Sequence, residues 1–176
     1  MLTLTLLSLL TVSAAGNVAL GQRCVNLKNK AYKDTLTSLY NKRAFIERKE
    51  SKTDTYILFD VCFLKLHNDI NGHVAGDRLL SDVGQLISDV CRKSEIGYHL
   101  SGDEFLIVVK GDKTDANTVI DRLENTLSLY RISPNSCHST DTPVEVAYGI
   151  GDTVELADTA MYEHKKVIHC KYNYTR

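Results

Sequence analysis

Apolar residues recur along the chain with two different spacings, which alternate. Helical spacing predicts helices over residues 36–49, 73–93, 114–130 and 154–166. Dense runs of β-forming residues predict strands over residues 56–63, 96–100, 105–110 and 144–151. The residues 101–104 between two of these strands suit a tight turn. Alternating helices and strands with one hairpin predict an α/β domain, or α+β sandwich, in which helices flank a single sheet.

The first 20 residues differ from the rest because they carry no charged side chain and are rich in Leu, Val and Ala. About 20 apolar residues span a bilayer core, whereas the small residues Ala14 and Ala15 would suit signal-peptide cleavage. No Lys or Arg precedes this segment, but Arg23 and Lys28 follow it. By the positive-inside rule, this favours a single-pass anchor in the cytoplasmic (inner) membrane with the domain in the cytoplasm. A cleaved signal and the last helix of a longer membrane sensor are the alternatives.

The remaining composition indicates one globular domain. The chain has 176 residues, of which 43% are apolar and 24% charged, with a net charge of −1. This charge gives no indication of nucleic-acid binding. The five cysteines form no CxxC pair and no zinc-like cluster, which favours reduced thiols. We expect a linker helix over residues 21–33, the domain over 34–171 and a tail over 172–176.

Acidic residues at two strand ends are candidates for chemistry. Asp60 interrupts an apolar strand, and Asp103 and Glu104 lie side by side in the predicted turn. Taken singly, a solvated strand end and a solvated turn explain them better. Together at one edge of a sheet, they would form an oxygen-lined pocket suited to Mg²⁺ and substrate phosphates. Phosphate binding must depend on these acids, because the sequence contains no GxxxxGK[ST] loop.

Between these acids, residues 66–77 contain a Gly-rich turn that leads into a helix. Asn68 and Asp77 offer an amide and a carboxylate, the pair of groups that can recognise a purine edge. Spacing alone does not distinguish this role from ordinary helix capping around residues 71–76.

Several blocks of sequence occur in an order that matches a known family. The blocks are DTLTSLYNKRAF (34–45), FDVCFLKLHNDINGHVAGDRLL (59–80), SGDEF (101–105), VAYGIG (146–151) and ADTAMYEHKK (157–166). Together they resemble the GGDEF domain family, whose members make cyclic di-GMP from two GTP molecules. The resemblance covers most of residues 34–171 and implies a nucleotidyl-cyclase-like palm fold, with a central, mostly antiparallel sheet flanked by helices.

The resemblance implies a metal site and an assembly. Mg²⁺, or Mn²⁺ in its place, would be held by Asp60, Asp103, Glu104 and the carbonyl of Val61. Glu104 would also assist attack of a 3′-hydroxyl on an α-phosphate. Each protomer of a homodimer would carry one GTP, with the two facing each other, and cyclic di-GMP would be the product. Catalysis would consist mostly of positioning and charge neutralisation.

The resemblance also implies how the substrate is held. Asn68 and Asp77 would form hydrogen bonds to guanine. The residues that would shape or neutralise the triphosphate site are Phe63, Leu64, Lys65 and Lys165. The product would bind at a separate inhibitory RxxD motif, whose place is taken here by Arg92 and Glu95. A basic helix end followed by a loop acid explains Arg92 and Glu95 equally well.

The chain departs from the family pattern at four positions of interest. Ser101 replaces the first Gly of the signature, Cys62 an Asp, and His99 and His169 two arginines. The segment between residues 39 and 60 is also short, which trims the first helix. These departures motivate an alternative to a diguanylate cyclase, namely a degenerate, non-catalytic module that binds GTP or a partner protein as a regulatory switch.

Overall fold

In the computed structural model, the described residues are 17–18, 20–132 and 145–172, and for residues 128–132 the description covers the backbone alone. Most of the predicted hydrophobic segment at residues 1–20, and residues 173–176 of the predicted tail, lie outside this range. Within the described residues, no helix combines the length and apolar character that crossing a membrane requires.

Helices and strands alternate along the chain. After helix α1 at residues 20–32, the order is β1 (Tyr40–Asn41), α2 (Lys42–Ile46), β2 (Asp54–Cys62), α3 (Leu64–Asn71), α4 (His73–Val90), β3 (Glu95–Ser101), β4 (Glu104–Lys110), α5 (Lys113–Ile132), β5 (Glu145–Gly151) and α6 (Val154–Lys171). The strands form a five-stranded sheet in the order β1-β3-β4-β2-β5. Only the β1–β3 pair among them is parallel, which confirms the prediction of a mostly antiparallel sheet flanked by helices.

Strand β2 lies inside the sheet, which explains why its sequence is almost continuously apolar. All nine of its residues are buried, and it pairs with β4 on one side and β5 on the other. Ile57, Phe59 and Val61 face the core formed with α4 and α5. The alternate residues Leu58 and Cys62 face a second core, formed with α6 and α2. Because both faces are covered, each large side chain contributes about 1.5–3 kcal/mol by burial.

The prediction of a helix over residues 36–49 is wrong for the first residues of that range. Residues 34–39 form a turn, because the Asp34 carboxylate accepts hydrogen bonds from the backbone N–H groups of Leu36 and Thr37, at 3.2 and 2.8 Å. Ser38 adopts the left-handed conformation, with φ of 60°, which a helix does not accommodate. Helical structure begins only after Asn41, whose side chain caps α2 by accepting from the Ala44 N–H.

Helix α3 was not predicted from the periodicity. It begins after Phe63, which has a φ of 64°, and it ends at Gly72, with a φ of 83°. The two positive φ values bracket a helix of only eight residues, most of whose side chains are exposed or half-buried. So short a polar segment offers little hydrophobic periodicity, which is why the pattern indicated a turn instead.

Candidate active site

The three predicted acids lie at the same edge of the sheet. Asp60, near the end of β2, is the direct cross-strand neighbour of Glu104, the first residue of β4. The backbone N–H of Val61 donates to the carbonyl of Asp103 at 3.0 Å, which fixes the signature turn against β2. The antiparallel register therefore brings together residues 43 and 44 positions apart, as the strand ends predicted.

Asp60 is the most buried of these acids. Its exposed fraction is only 4%, and its Oδ2 lies 2.5 Å from Nζ of Lys165 on α6. Its other oxygen, Oδ1, is buried without a hydrogen-bond partner. Burial raises the pKa of Asp60, the hydrogen bond from Lys165 opposes this, and the charges of Asp103 and Glu104 raise it again, so the net pKa is above the ordinary value.

The signature turn tolerates Ser101 without backbone strain. Ser38 and Phe63 are the non-glycine residues with positive φ in the described part of the chain, so Ser101 is not in the left-handed region. The residue that needs this conformation is Gly102, with φ of 45°. The Ser101 hydroxyl instead donates to Oε2 of Glu104 at 2.9 Å. The substitution thus adds a contact to a site carboxylate.

The acids suit a hard divalent cation. The residues that the structure describes contain no group of three Asp, Glu, His or Cys side chains already gathered around one point. However, the Oδ1 atom of Asp60 is a buried acceptor without a donor, a costly arrangement that an ion would relieve. The neighbouring groups offer oxygen ligands, which Mg²⁺ and Mn²⁺ prefer. Cys62 is unsuited to this role, because burial raises the pKa of its thiol to about 11.

A groove of about 430 Å³ lies between these acids and α6. Its lining residues are Asp60, Glu104, Asp158, Met161, Tyr162, Lys165, Lys166 and His169. Of the residues predicted for the triphosphate, Lys165 contributes to this groove. Asp158, Tyr162 and Lys166 were missed, and the available signal was the spacing of four residues that separates each from the next along one helix.

The other residues predicted for the triphosphate lie at the start of α3. Phe63 is buried, with its ring 5.2 Å from that of His169 and 5.5 Å from that of Tyr172. Leu64 is half-buried against the core, whereas Lys65 is exposed. His169, at the position of a family arginine, therefore packs against Phe63 at one end of the groove, with the two rings inclined by 32°.

Asn68 and Asp77 lie on the adjacent helices α3 and α4. The carboxamide oxygen of Asn68 is buried without a hydrogen-bond partner, and Asp77 is exposed. The Asn68 side chain can occupy this position only because residue 76 is a glycine. A Cβ at residue 76 would lie 1.8 Å from the carboxamide oxygen of Asn68. Sequence reasoning did not assign a role to Gly76. Its signal was a glycine inside a helix, which costs about 0.5–1 kcal/mol relative to Ala and needs a reason.

Arg92 and Glu95 do not form an open pair of side chains. Glu95 accepts hydrogen bonds from the backbone N–H of Arg92 and from Nη2 of Arg122 on α5, both at 2.7 Å. The Glu95 side chain is only 8% exposed, whereas Arg92 is exposed. This geometry favours a structural role for Glu95, which stabilises the fold at the start of β3. Arg122 was missed by sequence reasoning, because it is 27 residues away.

Comparisons with known proteins show which family the chain resembles. The profile described as "Diguanylate cyclase, GGDEF domain" matches residues 31–168. Diguanylate cyclase DgcS of Shewanella oneidensis is 28% identical over 131 residues, which are 73% of this chain and 44% of that protein. Diguanylate cyclase A of Treponema denticola is 28% identical over 156 residues, 80% of this chain and 40% of that protein. The chain thus spans less than half the length of these two relatives.

A solved structure shows the same fold. It contains the coiled coil and GGDEF domain of DgcB from Caulobacter crescentus in complex with c-di-GMP. The TM-score is 0.72 at 22% sequence identity, and the match covers 92% of this chain and 95% of that one. At this identity the likeness concerns the fold, including the helix that precedes the domain.

Proposed function

The chain belongs to the GGDEF domain family of diguanylate cyclases, and from this premise we propose that it condenses two GTP molecules into cyclic di-GMP and two pyrophosphates. One observation carries the proposal. Asp60 is a buried carboxylate beside Glu104, with one oxygen bound by Lys165 and the other without a partner. A group that costs the fold energy in this way is typical of a functional site.

Asp60, Asp103, Glu104 and the Val61 carbonyl would hold Mg²⁺ or Mn²⁺, which would neutralise phosphate charge and favour ionisation of the attacking hydroxyl. Glu104 would accept the proton of the 3′-hydroxyl on Oε1, the oxygen that Ser101 does not contact. Lys165 would supply positive charge to the phosphates along the groove. Phe63, Leu64 and Lys65 would shape the other side of the phosphate site.

Guanine would be recognised by Asn68 and Asp77. The Asn68 carboxamide oxygen is a buried acceptor that a base amino group would satisfy. Changing Gly76 to Ala would displace the flexible end of Asn68 rather than the backbone. We therefore expect Gly76→Ala to leave the fold intact and to weaken GTP binding, measured by calorimetry, with little change in ATP binding.

Helix α1 supports the homodimer that this reaction requires. Leu20, Cys24, Leu27 and Ala31 follow the alternating four- and three-residue spacing of a coiled-coil seam. Leu20, Cys24 and Leu27 are exposed, and Ala31 is half-buried. In a parallel dimer, the two Cys24 thiols would face each other. Mild oxidation with diamide should then give a cross-linked dimer in the wild type and none in Cys24→Ser.

Residues 1–20 are proposed to anchor the domain to the cytoplasmic face of the inner membrane. The support is their apolar composition and the basic residues that follow them. Expression of the full chain and cell fractionation would test this, because an anchored chain stays with membranes washed at high salt. An N-terminus beginning near residue 16 would favour the cleaved signal peptide.

A non-catalytic regulatory module is the second candidate. The position of His169 against Phe63 favours it, because an imidazole at this position carries less permanent charge than the family's arginine. Such a module would bind GTP or a partner protein without forming product.

Incubation of the purified chain with GTP and Mg²⁺, followed by chromatography, separates the two candidates. We expect cyclic di-GMP from the wild type at high protein concentration and none from an Asp103→Ala/Glu104→Ala control. Binding of GTP by a folded dimer without product would reject the cyclase in favour of the module.

A further inference from the structure

We propose that Tyr172, at the C-terminal end of α6, is a positioning residue that keeps the start of α3 in the conformation that binds the substrate phosphates. Its ring acts through Phe63, the residue that connects β2 to α3. This inference rests on the proposed function, because Phe63 would shape a phosphate site only in a chain that binds GTP. It adds to that site a residue that is not part of the groove between the acids and α6.

Phe63 has an unusual backbone conformation for an aromatic residue. Its φ is 64° and its ψ is 15°, which places it in the left-handed region. This region is unfavourable for a bulky side chain, so such a residue stays there only when its surroundings hold it. The Phe63 carbonyl accepts a hydrogen bond from the N–H of His67 in α3, at 2.9 Å. The direction in which α3 leaves β2 therefore depends on the Phe63 backbone.

Two rings from the C-terminal end of α6 pack against the Phe63 side chain. The Tyr172 ring meets it edge to face, with the centroids 5.5 Å apart and the planes inclined by 80°. The His169 ring lies 5.2 Å away. Edge-to-face contact at this distance is a preferred arrangement of aromatic rings. Phe63 is only 8% exposed, so these contacts restrict the movement that a change of its backbone conformation would require.

Tyr172 is itself bound to the sheet. Its hydroxyl donates to Oε1 of Glu145 at 2.5 Å, and Glu145 is the first residue of β5. In the register of β2 and β5, Glu145 is the direct partner of Cys62, which precedes Phe63. The hydrogen bond therefore holds the Tyr172 ring beside the point where β2 ends and the left-handed residue follows. Tyrosine suits this position because it combines a ring for Phe63 with a hydroxyl for Glu145.

The start of α3 is suited to anionic groups. No side chain caps this helix, so the N–H groups of its first turn have no partner of that kind. A bound phosphate would accept hydrogen bonds from them, in a direction that the Phe63 backbone determines. Loss of the Tyr172 ring should therefore weaken GTP binding. The acids proposed for the chemistry lie on β2 and in the signature turn, so conversion of the bound substrate should change little.

Steady-state kinetics of the full chain test this inference. Tyr172→Ala should raise KM for GTP by about two- to tenfold, the value of one aromatic pair, with kcat close to wild type. Tyr172→Phe keeps the ring and loses the hydroxyl, so its KM should lie between those of Tyr172→Ala and the wild type. Lys171→Ala is the matched control, because Lys171 also contacts Glu145, at 3.5 Å, but supplies no ring to Phe63. Its KM should equal that of the wild type.

Two substitutions at residue 63 test the backbone conformation itself. Phe63→Gly and Phe63→Ala both remove the ring, but only glycine adopts a positive φ without strain. The ligand is a GTP analogue with a methylene bridge between its α- and β-phosphates, and calorimetry measures its binding. We expect Phe63→Gly to bind it more tightly than Phe63→Ala. In either background, Tyr172→Ala should have no further effect, because its partner ring is absent.

Equal affinities of Phe63→Gly and Phe63→Ala would overturn the proposal, because the left-handed conformation would then not matter. A lower kcat and melting temperature of Tyr172→Ala at unchanged KM would also overturn it, since such a result indicates a purely structural role. If the wild type binds the analogue but forms no cyclic di-GMP, the cyclase is rejected, and calorimetry of these variants still decides the role of Tyr172. A wild type that does not bind the analogue would reject both.

Discussion

Two turns flank strand β3, and each carries an acidic residue that the family resemblance singled out. At the start of the strand, Glu95 is bound by the Arg92 backbone and by Arg122, so its carboxylate is satisfied within the chain. At the other end, the signature turn brings Asp103 and Glu104 beside Asp60, whose Oδ1 has no partner. The acid at one end of β3 is therefore satisfied within the chain, whereas the cluster of acids at the other end includes a carboxylate oxygen, on β2, that has no partner.

This difference separates a structural acid from a candidate functional one. A buried polar group with internal partners stabilises the fold, whereas one left without a partner costs stability. A buried polar group without a partner is typical of a site where a bound ligand supplies that partner. The comparison therefore predicts that substitutions at the two ends of β3 will affect different properties.

The largest effect on activity is expected from Glu104→Gln. The neutral amide cannot accept a proton, and it weakens the metal site, so cyclic di-GMP formation should fall about 100-fold or more. Glu95→Gln is the matched control at the opposite end of the strand. Rates measured at saturating GTP and Mg²⁺ should be close to wild type for this control. An equal loss in both variants would remove the distinction between the turns.

The largest effect on stability is expected from Arg122→Ala. It leaves the buried Glu95 carboxylate with one hydrogen bond, so the free energy of unfolding should fall by about 2–3 kcal/mol. Urea unfolding at neutral pH measures this loss. The double variant Glu95→Gln/Arg122→Ala should recover part of it, because no buried charge is then left unpaired. Failure to recover any stability would mean that Arg122 acts through packing alone.

A smaller effect is expected of Mg²⁺ on the melting temperature, and this effect should depend on pH. Because the pKa of Asp60 is raised in the folded state, its ionisation lowers stability as pH rises from the ordinary carboxyl range through the folded-state pKa. A bound cation offsets this cost, so Mg²⁺ should raise the melting temperature at neutral pH by about 2–4 °C. The increase should shrink on acidification and be absent in Asp60→Asn. Persistence of the full increase in Asp60→Asn would place the ion elsewhere.

A still smaller effect is expected at Ser101. Both Ser101→Gly and Ser101→Ala remove the hydrogen bond to Glu104, so kcat should fall by about two- to fivefold. The two variants should behave alike, because Ser101 has no positive φ that a glycine would relieve. A faster Ser101→Gly enzyme would show instead that the hydroxyl impairs the site.

The smallest effect is expected from Arg92→Ala. The Arg92 side chain is exposed, and only the backbone N–H of this residue donates to Glu95. Alanine retains that N–H group. Binding of labelled cyclic di-GMP should therefore change little, within about 0.5 kcal/mol. A marked loss of affinity would restore the interpretation of Arg92 and Glu95 as a product-inhibition site.

Local patterns in the sequence determined much of the architecture. The apolar run of β2, the hairpin around the signature and the periodic helices α4, α5 and α6 follow from the spacing of residues within each element, since burial selects that spacing. The proximity of Asp60 to Glu104 also followed, because both were placed at strand ends. The turn at residues 34–39 and the short α3 did not follow, because Asp34 hydrogen bonds and positive φ values override weak periodicity there.

The tertiary structure alone decided which acids are satisfied. Lys165 is 105 residues from Asp60, and Arg122 is 27 residues from Glu95. The steric dependence of Asn68 on Gly76 likewise appears only when α3 packs on α4. Local patterns report which face of an element is buried, but they carry no record of which distant side chain meets a given carboxylate. That pairing depends on the packing of whole elements, and it is what distinguishes the acid of a functional site from an acid that only stabilises the fold.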